Sequence, residues 1–253
     1  MEKKQLKTLL GQLYTNQIDV ETVLELLNDL PFHDIECARI DHHRGLRTGH
    51  PEVIFCQGKT AEQVVSIARE QIAHDETVFG TRAPEETLSA VKEQLPGVEI
   101  DLSAHCFWKK SSWWEKKKQT RGTILIVSAG TADNPVAREA QLTVNIFGHP
   151  SQTIQDVGVS GIHRLLACRK KLQTASAIIV IAGMEGALPS VVTGLVSCPV
   201  IGVPTSVGYG AHLNGLVPLF AMVNSCASGL TVVNIDNGFG AACAAVRINA
   251  ERD

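Results

Sequence analysis

The chain has 253 residues, 44% of them apolar, and a formal net charge of −3 with nine histidines counted neutral. That length supports one large domain or two smaller ones with a sizeable core. The balance excludes a bulk electrostatic nucleic-acid binder, and no uninterrupted apolar run reaches the roughly 18 residues of a membrane span.

In chain order, residues 3–29 carry apolar side chains at helical spacing, among them Leu6, Leu9, Leu10, Leu13, Val20, Val23, Leu24 and Leu27. The pattern predicts two short amphipathic helices, the second closed by Pro31. A polar stretch rich in histidine and arginine, 38–50, leads to a strand over 52–56. Gly58-Lys59-Thr60 turns into a helix over 61–73, a short strand follows at 77–81, and a helix at 84–95. The basic, non-periodic stretch 109–122 reads as an interdomain connection. Trp113 and Trp114 within it either stack on an aromatic ligand or pin the connector to the body.

After Gly122 the apolar runs become nearly continuous: 123–127, 142–146, 177–181, 199–203 and 230–235. Such runs suit strands buried on both faces. Helical stretches at 135–140, 161–171, 188–196, 213–226 and 240–248 alternate with them. The expected fold is therefore a small α+β domain over 1–118, followed by a doubly wound three-layer αβα parallel-sheet domain over 119–253.

Ligands of such sheets bind beyond the carboxyl ends of the strands. Four glycine-bearing segments occupy those places: 128–135, 182–189, 204–210 and 236–240. Glycines admit close backbone approach, and helix N-termini favour anions. Candidate substrate-binding residues are thus Ser128, Gly130, Thr131, Gly183, Met184, Gly186, Ser206, Gly208, Tyr209, Asp236 and Asn237. Asp133 and Glu185 are the candidate catalytic carboxylates; each suits either a helix N-terminus or a general base. Arg44 and Arg47, three apart, and Lys59 either meet a phosphate or sit in solvated loops. His42 and His43 precede no further ligand at metal spacing, so no transition-metal site is expected.

The seven cysteines are irregularly spaced and form no Cys-x-x-Cys pair, which argues against a zinc ribbon or a thioredoxin-type motif. The first residues lack an apolar signal core, and the expected setting is reducing and cytoplasmic. Cys168, Cys198 and Cys243 read as packing residues. Cys226 stands near the expected end of the helix 213–226, with Gly229 as terminator. The dipole there opposes a thiolate, so a poorly reactive thiol is expected in the free protein.

Residues 123–250 resemble the aminoimidazole ribonucleotide carboxylases and mutases, through Ser128-Ala-Gly-Thr-Ala-Asp133, Ile181-Ala-Gly183 and Pro199-Val-Ile-Gly-Val-Pro204. That family's histidine after the third strand is replaced here by Met184-Glu185-Gly186. The missing histidine and the long N-terminal half speak against the purine substrate. Longer strings resemble the LarB family of nickel-pincer cofactor biosynthesis. They are 183–192, 203–210, Asn224-Ser-Cys-Ala-Ser-Gly229, 233–240, and upstream 41–54 and 58–60.

This resemblance implies a pyridinium-3,5-biscarboxylic acid mononucleotide synthase. Nicotinic acid adenine dinucleotide would be carboxylated with CO2 or bicarbonate, and its phosphoanhydride hydrolysed to release AMP. The family's catalytic cysteine carries over onto Cys226 and its carboxylate onto Glu185, with Asn224 and Ser225 as neighbouring binding residues. A homo-octamer, by likeness to its lyase relatives, is the expected assembly, without nucleic-acid or membrane partners. The diphosphate chemistry asks for amide donors and cations and suggests Mg2+, with no organic cofactor. The competing readings are an aminoimidazole ribonucleotide carboxylase or mutase, and a non-catalytic dinucleotide-binding module that needs no Cys226.

Overall fold

The computed structural model describes residues 3–28, 33–35, 38–42, 44–114 and 120–251. Pro31, Cys37, His43, the side chain of Arg47 and residues 115–119 of the basic stretch lie outside the described set. The chain divides into two compact units, Met1–Glu115 and Lys116–Asp253.

The first unit begins with helices α1 (Lys3–Tyr14) and α2 (Val20–Asn28). A strand pair, β1 (His33–Asp34) and β2 (Arg39–Ile40), and a short helix α3 (Arg44–Thr48) follow. The remainder is a four-stranded mixed sheet. It comprises β3 (Ile54–Phe55), β4 (Val78–Thr81), β5 (Glu99–Asp101) and β6 (Cys106–Lys109), in the order β3-β4-β6-β5. Helices α4 (Ala61–Ala73) and α5 (Glu85–Gln94) cover it. Thr60 starts α4 with a reciprocal cap: its hydroxyl accepts from the Gln63 N–H, and Gln63 returns to the Thr60 N–H. Val64, Val65, Ile67 and Ala68 of α4 meet Leu88, Val91, Val78 and Phe107 in one core.

The described ends of the basic stretch are structured further than their composition suggested. Lys109 ends β6, Ser111 bonds to Thr77, and Ser112 donates its N–H to Asp75 at 2.8 Å. At the other end, Thr120 bridges to Ala250 in the second unit's own fold.

The second unit is a five-stranded, all-parallel sheet flanked by helices. Its strands are β7 (Ile124–Ser128), β8 (Ser151–Ile154), β9 (Ala177–Ala182), β10 (Val200–Pro204) and β11 (Leu230–Val232), in the order β11-β10-β9-β7-β8. β7, β9 and β10 are buried along their whole length, as strands covered on both faces must be. Helices α6 (Asn134–Ile146) and α11 (Gly238–Asn249) pack together on one face. α7 (Ile162–Ala167), α8 (Arg169–Gln173), α9 (Leu188–Thr193) and α10 (Leu216–Val223) complete the helical layers.

The run 142–146, expected as a strand, is the last part of α6. Leu142, Val144 and Ile146 are buried there together with Thr143, because α6 is covered by both the sheet and α11. A helix buried on two sides loses its polar stripe, and a short apolar run then reads equally as a strand. The true second strand, Ser151-Gln-Thr-Ile154, is a half-exposed edge strand with polar residues.

Candidate active site

The strand order makes β7 and β9 neighbours at the point where the chain turns from one side of the sheet to the other. In open α/β sheets the binding crevice forms outside the carboxyl ends at that switch point. Here those ends carry 128–133 and 183–187, joined by the segments after β10 and β11.

Asp133 is the residue that ties them. It is buried, and it stands at the N-cap position of α6 without capping it. Instead, its Oδ1 accepts from the Thr205 hydroxyl at 2.7 Å and its Oδ2 from the Gly130 N–H at 2.9 Å. Burial pushes its carboxyl above the ordinary aspartate range. Hydrogen bonds from Thr205, Gly130 and Gly183 pull the other way, and the charge of Asp236 adds to the rise. Asp236 in turn accepts from the Ser206 N–H at 2.8 Å. Four strand ends are thus stitched through two carboxylates.

Gly183 is required by space. A Cβ there would lie 2.1 Å from the Val207 carbonyl oxygen. Met184 (φ 50°) and Gly186 (φ 66°) are both left-handed, and this double turn leaves Glu185 exposed at the edge, outside α9. Glu185 therefore does not serve as a first-turn residue of α9. Ser128 is buried, its hydroxyl 3.1 Å from Asn134 Oδ1, whereas Thr131 is exposed. Ser206, Gly208 and Tyr209 are exposed beside them, and Asn237 caps α11 by accepting from the Gly240 N–H at 2.7 Å.

Cys226 lies elsewhere. Leu230 pairs with Val200, the first residue of β10, and the Val200 N–H donates to the Gly229 carbonyl. The segment 224–229 therefore turns at the amino edge of the sheet, opposite the glycine-rich rim. Within a single chain Cys226 thus lies away from that rim, since a helix leading into a parallel strand ends at the strand's beginning. Asn224 and Ser225 share this place: the Asn224 amide donates to the Phe220 carbonyl, and Ser225 Oγ meets Ser190 Oγ at 2.8 Å. The helix also stops earlier than expected, at Val223. Cys226 is exposed and lies beyond its last turn.

The first unit holds the remaining candidates. Arg44 faces Asp41 at 3.5 Å and Glu52 at 3.9 Å, and Lys59 donates to the Phe55 carbonyl at 2.7 Å. Lys110 Nζ sits 3.8 Å from the centre of the Trp114 ring.

Thr205 was not singled out by the sequence, although it stands inside a glycine-bearing segment; its value comes from reaching across β9 to Asp133. Nor did spacing disclose that His42, Glu70 and His74 converge within 4.8 Å. At this edge Asp133 Oδ1, Asp133 Oδ2 and Asp236 Oδ1 each accept an N–H or O–H donor, so a Mg2+ ion there would share these oxygens with those bonds.

Residues 32–111 match the LarB/PurE-like N-terminal domain, and residues 123–253 match AIR carboxylase. The chain belongs to the AIR carboxylase family. It is also 36% identical, over 248 residues and 94% of each chain, to an uncharacterized protein of Methanocaldococcus jannaschii. Within the AIR carboxylase family, this chain joins the sheet domain to a LarB/PurE-like domain, so a carboxylase-type enzyme is the class to which its site belongs. No helix among the described residues is long and apolar enough to cross a membrane.

Proposed function

We propose that the protein carboxylates the pyridinium ring of nicotinic acid adenine dinucleotide with CO2 or bicarbonate and hydrolyses its phosphoanhydride, giving pyridinium-3,5-biscarboxylic acid mononucleotide and AMP. The observation that carries this reading is the pairing, in one chain, of a LarB/PurE-like domain with an AIR carboxylase domain whose edge presents Glu185.

A pyridinium ring is electron-poor and does not attack CO2. Addition of the Cys226 thiolate para to the ring nitrogen gives a dihydropyridine, an enamine whose neighbouring carbon is nucleophilic. That carbon bonds to CO2, a carboxylate removes its proton, and the thiolate leaves as aromaticity returns. Glu185, exposed at the edge, is the base in this scheme, and Asp133 orders the edge around it. Amides of 128–131 and 183–186 face the diphosphate. Water attacks one phosphorus and AMP departs; Mg2+ would arrive with the diphosphate rather than wait in the protein.

Cys226 and Glu185 stand at opposite edges of one sheet, so acting on one ring requires a second copy of the chain. α10 supports this: Leu216, Phe220 and Val223 are exposed along one stripe, an apolar face suited to a homo-oligomer such as an octamer. The setting proposed is cytoplasmic, where the thiol stays reduced.

Mass spectrometry of products from nicotinic acid adenine dinucleotide and 13C-bicarbonate tests the reading. One labelled ring carboxylate plus AMP supports it. Carboxylation of aminoimidazole ribonucleotide instead would assign the other branch of the family. Glu185→Gln is expected to lower kcat by about 10²–10⁴-fold, the usual share of general acid–base catalysis. Undiminished carboxylation by Cys226→Ser would rule out the covalent step, and binding without turnover in the native protein would leave only a binding module.

A further inference from the structure

The N-terminal unit contains a cluster that the carboxyl-edge chemistry does not use. Glu70 and His74 are four residues apart where α4 ends, with His74 at its C-cap, so both side chains project from one face. Glu70 Oε1 is 3.4 Å from His74 Nδ1. His42, buried, arrives from the turn after β2, and its ring centre is 4.3 Å from that of His74. One ligand atom from each of His42, Glu70 and His74 lies within 4.8 Å of the others.

These spacings fit a small divalent ion. Tetrahedral zinc with bonds of about 2.0–2.1 Å holds its ligands roughly 3.3 Å apart. The Glu70–His74 pair already stands at that distance, and a side-chain rotation closes the third ligand.

A second observation concerns orientation. His42 Nδ1 faces Glu76 Oε1 at 3.1 Å. A carboxylate behind an imidazole fixes its tautomer and directs Nε2 as the ligating nitrogen. His74 Nδ1, the nitrogen nearest Glu70 Oε1, also lies 3.0 Å from the Glu70 carbonyl, a contact that an ion at Nδ1 would replace. Both histidines also line a cavity of about 660 Å³ bounded by Leu9 of α1, Leu26 of α2 and Trp113. An exogenous ligand has room there.

We propose that His42, Glu70 and His74 bind a divalent transition ion of the zinc class, with a water or small anion from the cavity completing its coordination. Two imidazoles and one carboxylate form a borderline donor set that prefers such ions to Mg2+ or Ca2+.

Cobalt(II) is the probe. Chelator-treated full-length protein is titrated with Co2+ at pH 7.5. The expected result is one Co2+ per chain with the intense visible absorption of a four-coordinate site, displaced by Zn2+. His74→Ala and Glu70→Gln each remove that absorption with unchanged far-UV circular dichroism, and Glu76→Gln weakens binding about 10–100-fold. His163→Ala, in the other unit, leaves it intact. Because His42 is buried and its loss endangers the fold, the test rests on the partly exposed His74 and Glu70. Absence of stoichiometric Co2+, or full binding by His74→Ala, would show instead a metal-independent pair of ion-paired histidines and overturn the proposal.

Discussion

At the scale of single residues, Asp133 and Cys226 exchange the emphasis their neighbourhoods in the chain suggested. Asp133 looked like a helix cap or a base; its side chain joins two loops instead. The folded state holds its proton more tightly than the unfolded chain, because burial raises the carboxyl. Its contribution to stability therefore falls as pH climbs from the ordinary aspartate range through the raised value. Thr205→Val removes a donor that favours the ionised form, so the carboxyl rises further. The expected outcome is an acid limb of the kcat/KM profile displaced to higher pH, with about 1–3 kcal/mol lost in thermal unfolding for the stranded oxygen. An unmoved acid limb would count against an ionised Asp133 in the reaction.

Cys226 is exposed, whereas Cys56 and Cys106 are buried and Cys168, Cys198 and Cys243 are partly covered. Burial pushes the Cys56 thiol to about 12 and that of Cys243 to about 11. Iodoacetamide at neutral pH followed by peptide mapping is expected to label Cys226 first among these six and Cys56 last. The sequence could place Cys226 before the last strand. It could not tell which edge of the sheet that was without the parallel register of β11 on β10.

Among the elements, the legible ones were those whose burial matches their local pattern. β7, β9 and β10 are apolar throughout and fully buried, and α4 carries both an amphipathic stripe and a Thr60–Gln63 cap. The end of α6 and strand β8 were misread as a pair, since one is an unusually buried helix and the other an unusually polar strand. β5 and β6 escaped notice because Trp108 and Lys109 sit where the composition turns basic. The turn after β9 depends on a missing side chain. Gly183→Ala sets a Cβ against the backbone oxygen of Val207, which has no rotamer with which to yield. Loss of cooperative unfolding or of substrate binding is expected, measured by calorimetry and by titration. Gly11→Ala is the control: it lies in α1 with nothing within 4 Å of the added carbon, and a gain of up to about 1 kcal/mol is expected.

For the whole molecule, the proposed chemistry makes a demand on assembly, because its thiol and its edge carboxylate lie at opposite ends of the parallel strands in one chain. Mixed oligomers test this. Cys226→Ser and Glu185→Gln are each expected to be strongly impaired alone. Dissociated, mixed and reassembled, they are expected to recover a fraction of native activity, because some sites then draw the thiol from one chain and the carboxylate from another. No recovery in verified mixed assemblies would require both groups to come from the same chain.

The sheet's two margins bear on how such assemblies are built. β8 is four residues long and presents serine, glutamine and threonine; β11 is three residues long. Short, polar margins offer a poor template for strand addition. Strand-to-strand zipping into an open-ended ribbon is therefore disfavoured at both margins, and the proposed homo-oligomer would be built through helices instead, closing at a fixed number of chains where a longer, apolar margin would nucleate fibres.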